Sequence, residues 1–211
     1  RRMGAHSFQQ IVGFQKLEEL QESIKDFSIR KTKDQCLDLP EKVYVKRYVE
    51  LSDEQKKAYS TMKQKALMVL ENEVYSTMNV LTQIMRLQQV VAGSLRNEAG
   101  ETVVLDNNRI QTVLDLLEET SAKVVIFAVF QTDIQRLEST IAEKFGKASV
   151  ASYYGKTPQN DRQKIIDKFQ DPDSELRYFI SNPQTGGRGI TLTEASTMIF
   201  YSNSYDLELR V

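Results

Sequence analysis

The chain has 211 residues, enough for one large domain, or one domain with an appendage, around a sizeable core. Hydrophobic residues make up 40% and charged residues 27%, an ordinary globular composition, and no apolar run nears the ~20 residues of a membrane helix. A lone Cys36 and a lone His6 exclude a disulfide framework, a thiolate cluster and a His-pair metal site, and a formal net charge of −1 excludes a basic coat but not a local basic strip.

RRMGAHSFQQ lacks the apolar core of a signal peptide, so the expectation is a soluble, cytoplasmic protein. From Lys16 to Phe27, Leu17, Leu20, Ile24 and Phe27 recur at helical spacing, which predicts a short amphipathic helix. FSIRKTKDQCLDLPEK reads as a connector, and VYVKRYV, Val43 to Val49, alternates as a strand does. Ser52 and Gln55 form a capping box that opens a helix running to about Glu71. A second helix, Ser76 to Ala92, carries Val80, Ile84, Leu87 and Val91 on one face and stops before Gly93. Leu95 to Leu105 reads as a hairpin.

From Asn107 the pattern changes to alternation. A helix with Ile110, Val113, Leu114 and Leu117 precedes the strand KVVIFAV. A helix with Ile134, Leu137, Ile141 and Phe145 closes at Gly146 before the strand ASVASYY. KTPQNDRQKIIDKFQ is a helix with Thr157 as N-cap and Pro158 at its first position, and LRYFIS and TMIFYS are further strands. This order predicts an α/β fold, a RecA-like (P-loop NTPase-like) parallel sheet with flanking helices after an α-rich lead-in. The segments are 1–40, a leading connector; 41–106, a strand, a helical pair and a hairpin; and 107–211, the α/β lobe.

Ligands of open parallel sheets bind beyond the carboxyl ends of the strands. That rule selects three loops: Phe130 to Asp133, Gly155 to Thr157 and Asn182 to Thr193. The second suits phosphate, with Gly155 open to close approach, Thr157 at a helix start and Arg162 one turn inward; a plain helix cap is the competing reading. The third is neither a Walker A loop nor a dinucleotide fingerprint. Gly186, Gly187 and Gly189 would pack against a phosphate or a second domain, or simply form a tight turn. Asp133, Asp161, Asp167 and Glu194 show no acid–base pairing and read as solvated charges or caps.

Taken in order, these blocks resemble a known series. VVIFAVFQTDIQRL is similar to motif IV of Swi/Snf-like superfamily-two helicases, and YYGKTPQNDRQKIIDKFQ to the block that follows it. ISNPQTGGRGITLTEASTMIFY resembles motif V, with Thr191 where Asn is commoner and Arg188 where an apolar residue is usual. RKTKDQCLDLPEKVYVKRYVELSDEQKKAY resembles the connector of that group, and the likeness is strongest to bacterial and phage-type members.

The resemblance implies an ATP-dependent DNA helicase or translocase of two RecA-like lobes, of which this chain is the second, with the end of the first lobe before it. It implies that DNA, double-stranded, runs past Phe130, Gln131, Gly155, Thr157, Arg162 and Thr185. Gly187, Arg188, Gly189 and Thr191 would approach the nucleotide. ATP and Mg2+ would be held mainly by the first lobe of the same protein, and the arginines of motif VI would follow DLELRV. On that basis the chain by itself has no catalytic residue and no metal site, is inactive alone, has no membrane partner, and works in a bacterial or phage-infected cytoplasm. The alternative is a non-catalytic regulatory or partner-binding module on the same scaffold; an RNA-directed helicase fits the connector and glycine loop less well.

Overall fold

The computed structural model describes residues 13–31, 33–36, 38, 41–72, 77–96, 101–187 and 189–204, and His6 and Arg188 lie outside them. It divides into two compact units between Arg47 and Tyr48. In the first, α1 (Leu17–Ile24) continues into a 3-10 turn, Lys25–Phe27, and α2 spans Lys33–Cys36. The predicted stripe is present on α1, but Leu17, Leu20 and Phe27 are all more than half exposed.

The strand expected from Val43 to Val49 does not form. Val43, Tyr44, Val45 and Tyr48 are between 70% and 91% exposed. Alternation gives a segment two faces, but a strand needs a neighbour to take up its backbone groups, and no described strand pairs with this one.

The second unit begins with α3 (Asp53–Asn72), and here the capping box is complete. The Gln55 amide donates to Ser52 Oγ and the Ser52 amide to Gln55 Oε1, both at 3.1 Å. Gln55 is also buried, and its Nε2 donates to the carbonyls of Val90 (2.9 Å) and Val91 (3.1 Å) at the end of α4 (Thr77–Ala92). One side chain thus serves the start of one helix and the free carbonyls of the next. Gly93, at φ 98°, turns the chain into an antiparallel hairpin of β1 (Ser94–Arg96) and β2 (Thr102–Val104).

The α/β part follows in the predicted order: α5 (Asn108–Glu119), β3 (Lys123–Phe127), α6 (Gln131–Phe145), β4 (Val150–Tyr153), α7 (Gln159–Gln170), β5 (Tyr178–Ser181), the single turn α8 (Pro183–Gly186) and β6 (Ala195–Phe200). β3 to β6 form a parallel sheet in the order β4-β5-β3-β6. Ile110, Leu114 and Leu117 of α5 and Ile134, Leu137 and Ile141 of α6 cover one face, against Val124, Ile126 and Ile180. Phe169 of α7, with Leu176, covers the other, against Val125, Phe127 and Phe179. Alternate residues of each strand feed the two layers. Lys123 is buried at the start of β3, where its ammonium donates to the carbonyls of Phe169 (2.7 Å) and Asp171 and so closes the end of α7. No described helix is long and apolar enough to cross a membrane.

Candidate functional site

The carboxyl ends of β4, β5, β3 and β6 lie side by side, and side chains at those ends lace their loops together. Ser181, last in β5, donates through Oγ to the Tyr153 carbonyl at the end of β4, at 2.6 Å. Asn182 accepts from the Gln184 amide (2.9 Å), capping α8, while its Nδ2 donates to the Val129 carbonyl beyond β3 (2.7 Å). Ser202, beyond β6, accepts from the Val129 amide at 2.8 Å. Every strand end on this rim is therefore tied to a neighbour. Ser-Asn-Pro signals the cap by itself, but the cross-links to Val129 and Tyr153 need the fold.

In the β4–α7 loop, Gly155 and Lys156 are exposed and Thr157 is buried. Thr157 does not cap α7. Pro158 is extended (ψ 139°), so the helix starts at Gln159 and the Thr157 hydroxyl points back into the turn. It accepts from the Tyr154 amide (3.0 Å) and donates to the Ser152 carbonyl (3.2 Å). Arg162 Nε donates to the Thr157 carbonyl at 3.2 Å, with the guanidinium 5.6 Å from the Tyr153 ring centroid. No hydrogen bond joins its terminal nitrogens to the described residues. Gly155 has an ordinary φ, and a Cβ there would meet nothing within 4 Å. Packing does not require a glycine here.

The third loop uses its glycines differently. A Cβ on Gly186 would overlap Ser181 Oγ and sit 2.8 Å from Ser181 Cβ, and one on Gly187 would overlap the Pro183 carbonyl. These two are packing glycines. Gly189, at φ 74°, is exposed and takes a left-handed conformation that other residues rarely adopt. Thr191 is exposed and Thr185 half-buried on α8. Beyond them, Gln170 at the end of α7 donates to Thr193 Oγ1 (2.9 Å) and accepts from the Glu194 amide (3.2 Å), which fixes the far end of the loop. In the first loop Phe130 is half-buried at the cap of α6 and Gln131 is exposed. The fold brings all three loops to one rim.

Beside the rim lies a buried polar cluster that the sequence did not announce. Asp133 is 1% exposed, not solvated, and neither carboxylate oxygen has a hydrogen-bond partner among the described residues. Burial pushes its pKa from 3.8 to about 7, against the pull of Arg109 and Arg136. The Tyr201 hydroxyl is pushed up to about 12, first by burial and then by the Asp133 charge. Asn107 donates to that hydroxyl and to the Ala92 carbonyl, both at 2.6 Å, and Arg136 donates to the Gly93 carbonyl at 2.8 Å. The cluster locks the end of α4 onto α5, α6 and the segment after β6. Asp161 and Asp167, by contrast, make exposed hydrogen bonds to Lys164 and Gln163, and Glu194 is exposed.

A four-stranded parallel sheet flanked by helices, with its loops gathered on the carboxyl rim, defines the class: a RecA-like α/β fold. Two family matches run in tandem along the chain, the SNF2-related domain over residues 8–94 and the helicase conserved C-terminal domain over residues 108–211. Together they support a place in the Swi/Snf-like family of superfamily-two helicases.

Among its relatives, an uncharacterised ATP-dependent helicase of Mycoplasma genitalium is 27% identical over 189 residues, 87% of this chain and 18% of that protein. The human SWI/SNF-related matrix-associated actin-dependent regulator of chromatin subfamily A member 1 is 26% identical over 215 residues, 92% of this chain and 20% of that protein. The chain thus spans about a fifth of the length of each. The Sulfolobus solfataricus SWI2/SNF2 ATPase core, solved in complex with double-stranded DNA, is 25% identical with a TM-score of 0.66, over 88% of this chain and 41% of that one.

Proposed function

We propose that the chain is the second lobe, with its lead-in, of an ATP-dependent motor that moves along double-stranded DNA. The observation that carries this reading is the rim: three loops tied into one platform, with a glycine at Gly155 that the packing does not need. The DNA backbone would pass over Gly155 and Lys156, where a phosphate can approach the main chain and meet the terminal nitrogens of Arg162. Thr157 holds that loop in shape from below. Gln131, Phe130 and Thr185 extend the track across the neighbouring loops.

Gly187, Gly189 and Thr191 are exposed and suit half of a nucleotide site, Arg188 being the fourth residue proposed there. ATP, when bound, would supply the phosphoryl-transfer chemistry. The described residues offer no group of three His, Cys, Asp or Glu able to hold a metal. The Mg2+ that accompanies the nucleotide would be held mainly by the first lobe. This chain's own part is to grip the backbone, and to let the 187–191 loop meet that lobe through the backbone freedom of Gly189. The likeness of the 25%-identical DNA-bound core favours the motor over the regulatory-module reading.

The test is DNA-stimulated ATP turnover by a two-lobed protein that contains this chain, with Thr157 and Arg162 both changed to Ala. Stimulation should fall at least tenfold while turnover without DNA holds. Unchanged stimulation would remove these residues from the DNA path.

A further inference from the structure

β4 is an edge strand. Among the described residues it pairs on one side only, with β5, so every second pair of its amides and carbonyls faces outward. Along that edge lies an open groove of about 300 Å³. Ala151, Ile165 and Leu176 form an apolar floor between the strand and α7, with Val150 of the strand beside it. Lys147, Lys164 and Lys168 line it with Asp161 as the one carboxylate, and Asp161 is already 3.3 Å from Lys164. Lys147 and Lys168 are exposed and have no ion pair or hydrogen bond to described residues. The groove therefore carries two uncompensated positive charges, an apolar floor and an open ladder of backbone groups.

We infer that this groove binds an extended acidic segment of a partner protein, which adds a strand to the outer edge of β4. Each element of the surface answers one part of such a ligand. The strand edge pairs with its backbone, the floor takes alternate apolar side chains, and Lys147 and Lys168 meet its Asp or Glu residues. Duplex DNA fits less well, because it would leave both the floor and the strand edge without partners. The groove is also separate from the proposed DNA track. Its lining shares no residue with that track.

A fluorescein-labelled nine-residue peptide alternating valine with glutamate serves as the probe for the full chain, read by anisotropy. Binding should saturate, weaken with salt, and fall at least tenfold when Lys147 and Lys168 are both changed to Glu. Both side chains are exposed, so the melting temperature of that variant should match the parent and verify its fold. Two further peptides carry N-methyl groups on alternate residues, one in each register. Strand addition requires one of them to lose binding at least tenfold, while charge alone would leave both unchanged. Equal binding of both methylated peptides, indifference to the lysine reversals, or displacement of the peptide by a short DNA duplex at equal charge concentration would each overturn the inference.

Discussion

The buried carboxylate of Asp133 offers a sharp test of how the rim is held together. A carboxyl whose pKa rises from 3.8 to about 7 on folding binds its proton more tightly in the folded chain than in the unfolded one. Stability is then fully present below about pH 4 and is lost as pH rises through about 7, after which it stays low. Each tenfold change in proton affinity is worth about 1.4 kcal/mol, so the ionised group costs the fold about 4 kcal/mol at pH 8. Asp133→Asn keeps the shape and removes the charge. Its stability relative to the parent should be near zero at pH 4 and rise to about 4 kcal/mol at pH 8. For a chain of this size that is a melting temperature higher by roughly 10 °C. Thermal unfolding of both proteins between pH 4 and 9, followed by circular dichroism, gives the difference directly and cancels the contribution of all other groups. A variant that melts below the parent at pH 8 would refute the reasoning. It would mean that Arg109 and Arg136 stabilise the carboxylate by more than burial costs it.

The glycines divide by the same kind of reasoning. Gly186→Ala forces a Cβ into Ser181 and should lower the melting temperature by several degrees, whereas Gly155→Ala should leave melting unchanged and weaken binding to duplex DNA. Gln55→Ala removes a capping-box partner and leaves the Val90 and Val91 carbonyls without their donor. It should cost about 2–3 kcal/mol in urea unfolding, with a loss under 1 kcal/mol showing that solvent replaces the side chain.

Much of the fold was legible because its signals are local. The Ser52–Gln55 box, the buried run Lys123 to Phe127 and the closing Gly146 each depend on neighbours a few residues away, and the structure places them as expected. The order of strands and helices likewise brought the three candidate loops to one rim. What was not legible depends on distant partners. VYVKRYV alternates like a strand, but alternation says nothing about whether a neighbour exists. The Thr157 hydroxyl had two sets of backbone groups within reach. The extended Pro158 decided for Tyr154 and Ser152 over the helix amides. Asp133 sits in an ordinary amphipathic helix, and its burial within the electrostatic reach of Arg109, Arg136 and Tyr201 depends on how distant segments pack. The lacing of Val129 by Asn182 and Ser202 is similarly a property of strand order, which no single segment encodes.

The central claim is that the rim grips the DNA backbone, and salt dependence tests it most directly. Equilibrium binding of a short duplex to the chain is measured from low to physiological salt for the parent and for a variant with Lys156 and Arg162 both changed to Ala. Each lost phosphate contact should reduce the slope of log K against log salt by about 0.9, so the account predicts weaker binding and a slope shallower by nearly 2. Identical affinity and slope in the two proteins would contradict it.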